Sequence, residues 1–184
     1  MTREEAYKLL DEYIKDEKMK YHCYATEVVM EALAKRLDRD IEQWAIAGLL
    51  HDIDAEITEK DPQRHALVAV DILREKGLDE ESIDAIKMHN EEATGQERKT
   101  EFQHALAAGE TITGLIYATA LVYPDKKIQS VKPKSVKKRM KEKAFAASVN
   151  RDTIRECEKI GIPLEEFVEI SLGAMKSIGE RIGL

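Results

Sequence analysis

Apolar residues recur with a helical period along most of the chain. Thr2 and Glu5 form a capping-box pattern ahead of the first apolar stripe. We find no internal repeat, no low-complexity tract and no convincing strand alternation. The pattern therefore predicts an all-α protein of about eight or nine helices. Helices are predicted at about residues 2–14, 21–37, 41–50, 61–77, 79–89, 101–122, 150–160 and 164–182.

Two of these predictions depend on specific local signals. Asp61-Pro62 has the pattern of an N-cap followed by proline at the first helical position, so a helix is expected to begin there, carry His65 and end at Gly77. The stretch from Glu101 to Val122 is apolar on nearly all sides. A helix of that kind belongs in the centre of a fold.

The chain of 184 residues is long enough to bury a substantial core, so we expect one domain over residues 1–184. Charged residues make up 35% and aromatic residues 5%, which is typical of long helices. Within the domain we distinguish a core at about 20–123, a basic segment at 131–143 and C-terminal helices at 150–184.

The net charge of −7 argues against general affinity for nucleic acid or for anionic membranes. No signal-like N-terminus and no apolar run of membrane-spanning length is present. Cys23 and Cys157 lack the spacing of a metal or redox motif and are expected to be buried thiols. We therefore expect a soluble cytoplasmic protein; its oligomeric state is left open.

Several histidines and acids fall on, or at the end of, otherwise apolar stripes, where an unpaired polar group is unfavourable. They form a mixed nitrogen and oxygen ligand set, which suits Mn, Fe, Ni, Co or Zn in a catalytic site. The plainer interpretation is that each is a hydrogen-bonded core residue. His104 points away from Glu110 on the same helix and is left out. The candidate ligands are His22, His51, Asp52, His65, His89 and Glu110.

These residues resemble a known pattern. His22, the dipeptide His51-Asp52 within GLLHDID, and a carboxylate on a later helix are similar to the HD superfamily of metal-dependent phosphohydrolases. The additional His65 and His89 resemble its branch with an H…HD…H…H…D pattern. The segments ALAAGETITGLIYATALVYPDKK and VKPKSVKKRMKEKAFAASVNR resemble a subgroup of small single-domain hydrolases, so the resemblance covers about residues 20–175.

The resemblance implies an all-helical fold, one or two divalent metal ions per chain, and hydrolysis of phosphate esters. His22, His51, Asp52 and Glu110 resemble the ligands of the first metal, and Asp52 would bridge to a second ion held by His65 and His89. The chain departs from the family pattern at position 110, where Glu stands in place of Asp. The longer side chain is compatible either with full activity or with a weakened site.

The implied chemistry is hydrolysis of a phosphate ester of a nucleotide or small phosphorylated metabolite by metal-activated water, with Asp52 as the catalytic residue. Glu56 is expected either to orient a ligand or to be a solvated surface acid. The basic segment is either a solvated face or a phosphate-binding rim. The candidate rim residues are Lys134, Lys137, Lys138 and Arg139.

Two other functions stay open. One is a degenerate HD module that binds a nucleotide or partner without turnover, which Glu110 would explain. The other is a structural helical protein whose histidines belong to the core.

Overall fold

The structure, a computed structural model, describes residues 1–59 and 61–184. Helices are the only regular secondary structure in that part of the chain, which confirms the all-α prediction. Ten α-helices are present among the described residues, two of them only four residues long. The α-helices are α1 (Arg3–Tyr13), α2 (Glu17–Leu37), α3 (Ile41–Leu50), α4 (Leu67–Glu75), α5 (Glu80–His89), α6 (Glu91–Thr94), α7 (Glu101–Leu121), α8 (Pro133–Lys141), α9 (Arg151–Ile154) and α10 (Leu164–Lys176). Short 3₁₀ helices cover Ile128–Ser130, Arg155–Ile160 and Gly179–Ile182.

Helix α7 lies at the centre of the fold, as its apolar sequence predicts. It contacts α2, α3, α5, α8, α9 and α10, and most of its side chains are buried. A capping box between Thr100 and Gln103 begins the helix, as Thr2 and Glu5 do for α1. The bounds predicted from the sequence, 101–122, agree with the observed helix to within one residue.

Helices α2 and α3 pack tightly because Gly48 lets their backbones approach. A Cβ atom at Gly48 would lie 2.8 Å from the carbonyl oxygen of Thr26 and 2.9 Å from Cγ of Met30. Trp44 on α3 stacks on Phe102 of α7 with ring centroids 4.7 Å apart. These contacts fix the end of α3, where His51 follows the last helical residue.

Two predicted helix starts are wrong. Helix α2 begins at Glu17 rather than Tyr21, because Asp16 caps it by accepting a hydrogen bond from the Met19 N–H. Asp61-Pro62 does not begin a helix: residues 62–66 form turns, and α4 begins at Leu67. His65 therefore precedes α4.

Helix α8 has the most one-sided charge distribution. Val136 and Met140 on one face are buried, and lysines occupy the opposite face. The predicted helix at 150–160 is present as α9 followed by the 3₁₀ helix Arg155–Ile160. None of the described helices combines the length and apolar character that a membrane span requires.

Candidate metal centre

Four imidazoles converge on the carboxylate of Asp52. The Nε2 atoms of His51, His65 and His89 lie 3.4, 3.1 and 3.4 Å from its Oδ1. The Nε2 atom of His22 lies 3.5 Å from its Oδ2. The donors form two groups that share Asp52, one with His22 and His51 and the other with His65 and His89. The structure thus brings together five of the six ligand candidates; their ligand role stays a prediction.

Each of the four imidazoles is also held from its outer side. The Nδ1 atoms of His51 and His89 lie 2.8 and 2.5 Å from the carbonyl oxygens of Gly48 and Ile86. A carbonyl can only accept, so both Nδ1 atoms carry the proton and both Nε2 lone pairs face Asp52. This arrangement is the usual outer support of metal-bound histidine.

His65 and His22 are held in the same way by side chains. The Nδ1 atom of His65 lies 2.8 Å from Oδ1 of the fully buried Asp54, whose Oδ2 accepts the Ala69 N–H at 2.9 Å. The Nδ1 atom of His22 lies 3.0 Å from Oγ1 of Thr113. That hydroxyl donates its proton to the Glu110 carbonyl, so it accepts from His22.

The electrostatics of the centre favour a cation. Burial lowers the pKa of His51 to about 3, which leaves its imidazole neutral and free to ligate. Burial also disfavours the charged form of His65, but Asp52 and Asp54 outweigh it and raise the pKa of His65 to about 10. Burial opposes ionisation of Asp52 too, yet the surrounding histidines hold its pKa well below the usual value. The negative potential that raises the pKa of His65 also attracts a metal ion.

The donor spacing fits a divalent metal. Two nitrogens bound at about 2.1 Å and at a right angle lie about 3.0 Å apart. The Nε2 atoms are 3.0 Å apart in the His22–His51 pair and 3.1 Å apart in the His65–His89 pair. In the His22–His51 pair both rings donate through Nδ1, so the Nε2 lone pairs of the neutral rings face each other, and a cation between them removes that repulsion. Imidazole and carboxylate donors without thiolate suit Mn, Fe, Ni, Co or Zn.

Glu110, the sixth candidate, lies beside the centre rather than within either donor group. Its Oε2 is 3.9 Å from Nε2 of His22, and its Oε1 accepts a hydrogen bond from the Thr111 hydroxyl. Burial raises its pKa. Among the predicted ligands, Glu110 is therefore the one that the described geometry leaves least engaged.

Two clefts give access to the centre. A cleft of about 440 Å³ is lined by His22, His89 and Glu110, and a smaller one of about 290 Å³ by Asp52 and His65. Other residues line these clefts with polar or acidic groups. In the larger cleft they include Asn90, Glu91, Glu92, Arg98, Thr111, Ser148, Asn150 and Thr153.

Several supporting residues were not identified from the sequence. Asp54 follows His51-Asp52 by two residues and has no role among the residues predicted from the sequence, yet it holds His65. The Asn90 amide donates to the carbonyls of Pro62 and His65 at 2.8 and 2.9 Å. Asp54 ends the HDID segment at 51–54, and Asn90 follows His89 in the chain. The groups that these two residues contact lie in other segments, so the sequence alone does not reveal the contacts.

A buried network of Arg98, Glu156 and His104 contacts the backbone at the end of α5, where His89 lies. The Arg98 side chain is 2% exposed and binds Glu156 through two hydrogen bonds of 2.8 and 2.7 Å. It also donates to the carbonyls of Met88 and His89, at 3.0 and 3.4 Å. The Nδ1 atom of His104 lies 2.6 Å from Glu156, so His104 belongs to this network, away from Asp52.

Glu56 orients no ligand. Its Oε1 accepts the backbone N–H groups of Lys15 and Asp16 at 2.7 and 2.8 Å, which fixes the connection between α1 and α2. The expectation that it orients a metal ligand is wrong. The alternative of a surface acid agrees with its exposed side chain.

The basic segment lines a cleft other than the two at the centre. Lys134, Lys137 and Lys138 line a separate cleft that shares no lining residue with the two clefts at the centre. Arg139 pairs with Glu142 and lies over the Phe145 ring, 4.2 Å from its centroid. A phosphate-binding rim for the metal centre at these four residues stays a prediction.

Comparison with known proteins yields one family and two curated relatives. The family model described as HD domain matches residues 19–122. Ribonuclease Y of Nitratidesulfovibrio vulgaris, from strain DP4 and from strain ATCC 29579 (Hildenborough), is 31% identical over 93 residues. The match covers 50% of this chain but only 17% of each relative. No solved structure gives a significant match.

Proposed function

The chain belongs to the HD domain family, and on that premise we propose that it is a metal-dependent phosphohydrolase. One observation carries the proposal: four imidazoles, each held at Nδ1, direct Nε2 toward both oxygens of one carboxylate. A divalent metal bound there would supply a Lewis acid and lower the pKa of water. Asp52 is the proposed catalytic residue, because its carboxylate belongs to both donor groups and would hold the metal that activates water.

The lining of the larger cleft favours a small phosphate ester. Its volume of about 440 Å³ is within the range of small-molecule sites. Apart from its histidines, the described lining of this cleft contains one cationic residue, Arg98. Its guanidinium is already paired with the carboxylates of Glu91 and Glu156. Ser148 and Asn150 offer polar groups to a neutral organic part. We propose a nucleotide or small metabolite bearing one phosphate ester.

The named activity of the relatives suggests a different substrate. Both are named as ribonucleases, and a nucleic acid strand carries one negative charge per nucleotide. Glu91 and Glu92 at the cleft would repel such a strand. We therefore favour the small ester over RNA, with the same hydrolysis at the metal centre in either case.

Phosphate release from a panel of phosphate esters tests the proposal. The protein is loaded separately with Mn, Ni, Co or Fe and incubated with nucleoside monophosphates, sugar phosphates and a short oligoribonucleotide. We expect hydrolysis of at least one monophosphate and loss of that activity in Asp52→Ala. Asp71→Ala, which removes an exposed acid on α4, is the matched control and should retain activity. Absence of hydrolysis with every metal would contradict the proposal.

A second candidate function is binding without turnover, and the position of Glu110 favours it. Its nearest imidazole nitrogen is 3.9 Å away, and it belongs to neither donor group. If the longer side chain disables the site, Glu110→Asp should create activity in an inert protein. If Glu110→Asp instead lowers the activity of an active protein, the degenerate module is excluded.

A further inference from the structure

The cleft beside α8 is lined mainly by cationic and apolar side chains. It lies between α8 and the beginning of α10 and has a volume of about 540 Å³. We call it the basic cleft. Five cationic side chains line it, and they are Lys134, Lys137, Lys138, Lys141 and Arg155.

The four lysines occupy one face of α8. Positions 134, 137, 138 and 141 follow the i, i+3, i+4, i+7 spacing that brings side chains to one side of a helix. Val136 and Met140 occupy the buried face and hold the helix against the core. Like charges at this spacing repel one another and destabilise the helix. The concentration of lysines is unusual because the chain as a whole has a net charge of −7. A bound anion would relieve the repulsion.

The carboxylates nearby neutralise only part of this charge. Lys137 pairs with Glu165 at 3.2 Å and Arg155 with Glu158 at 3.6 Å, both within the cleft. Lys138 lies 3.7 Å from Glu142. For Lys134 and Lys141, no carboxylate of the described residues lies within ion-pair distance.

The remaining lining is apolar and comes from Met140, Pro163 and Leu164. A ligand that fits has several anionic oxygens for the lysines and an apolar or flat part for this strip. We propose that the basic cleft is a second binding site, separate from the metal centre, for a nucleotide carrying two or more phosphates. The basic cleft shares no lining residue with the two clefts at the metal centre. A further cleft lies between them, because it shares Arg155 and Glu158 with the basic cleft and Glu91, Asn150 and Thr153 with the larger cleft. The proposed nucleotide site does not require hydrolytic activity, since none of its lysines lines the clefts at the metal centre.

Calorimetric titration with ATP tests this site. Lys134→Gln/Lys141→Gln removes the two unpaired lysines, and Lys126→Gln/Lys127→Gln removes the same charge from exposed positions outside the cleft. We expect the first pair to weaken ATP binding by about tenfold or more and the second to leave it nearly unchanged. Equal affinity for both double variants, or no ATP binding by the wild type, would overturn the proposal.

Two further titrations separate a nucleotide site from a merely cationic surface. Tripolyphosphate should bind more weakly than ATP, since it lacks a part that contacts the apolar strip; equal affinity would overturn the assignment to a nucleotide. Glu165→Gln releases Lys137 from its ion pair and should strengthen ATP binding by about two- to fivefold. A weakening there would also count against the site. Circular dichroism verifies that all variants are folded.

Discussion

At the scale of single residues, the outer hydrogen bonds hold the four imidazoles in the orientation that a metal site requires. Two carbonyls, one hydroxyl and one carboxylate fix Nδ1 of the four histidines. Rotation of any ring would cost one of these bonds, so the Nε2 atoms stay directed at Asp52. Such outer partners commonly change metal affinity by about 10–100-fold when they are removed.

Asp54 provides the clearest residue-scale prediction. Asp54→Asn retains the shape of the side chain but removes the negative charge beside Nδ1 of His65. We expect metal affinity to fall by about 10–100-fold, measured by competition with a chelator. Glu56→Gln is the control, because Glu56 bonds only to the backbone before α2 and should affect thermal stability alone. Unchanged metal affinity in Asp54→Asn would contradict its role in holding His65.

The sequence identified the five residues that converge but not Asp54. A histidine or acid on an apolar stripe is visible in a pattern, whereas the acceptor for its outer nitrogen depends on tertiary contacts. Asp54 reaches His65 and the Ala69 N–H only because the turns after α3 run beside the start of α4.

At the scale of elements, the end of α5 depends on a network from the C-terminal part of the chain. Arg98 joins the last carbonyls of α5 to Glu156 in the 3₁₀ helix Arg155–Ile160. Because His89 is the final residue of α5, we expect this network to help position its ring.

Arg98→Met should disturb the donor group of His65 and His89. The substitution leaves the buried Glu156 carboxylate without its guanidinium partner, which should lower the free energy of unfolding by about 3–5 kcal/mol. We expect weaker metal binding, measured by chelator competition, together with a lower melting temperature. Arg74→Met is the control, because the Arg74–Glu80 pair is exposed and its loss should change little. If Arg98→Met lowered stability but left metal affinity intact, the network would not position His89.

Gly48→Ala should destabilise the packing of α2 against α3. The added methyl group would lie 2.8 Å from the Thr26 carbonyl, so one helix must shift, at a cost of about 1–3 kcal/mol in the free energy of unfolding. Gly173→Ala on α10 meets no atom within 4 Å and should stabilise the helix by about 0.5–1 kcal/mol. Denaturant titration of both variants measures the difference. Equal stability would contradict the close approach.

The elements predicted from the sequence succeed where packing and local preference agree. The capped, apolar α7 is such a case. The helix predicted to begin at Asp61-Pro62 is absent because tertiary contacts outweigh the local N-cap signal. Asp61 accepts a hydrogen bond from the Gln63 N–H in a turn, and Ala66 has a φ of 71°, outside the helical region. Asn90 binds the Pro62 and His65 carbonyls and holds this segment out of a helix.

At the scale of the whole molecule, charge is segregated. Acidic residues flank the larger cleft at the centre, and lysines collect on one face of α8 above a different cleft. The sequence showed the basic run but not which cleft it lines, because placement of α8 depends on packing against α7 and α10.

Metal content per chain tests the central claim most directly. We expect one or two divalent ions per wild-type chain after expression with added metal, measured by elemental analysis. We expect almost none in folded Asp52→Ala, since that carboxylate is shared by both donor groups, and wild-type content in Asp71→Ala. Less than about a tenth of an ion per wild-type chain would contradict the account and make the histidines ordinary core residues.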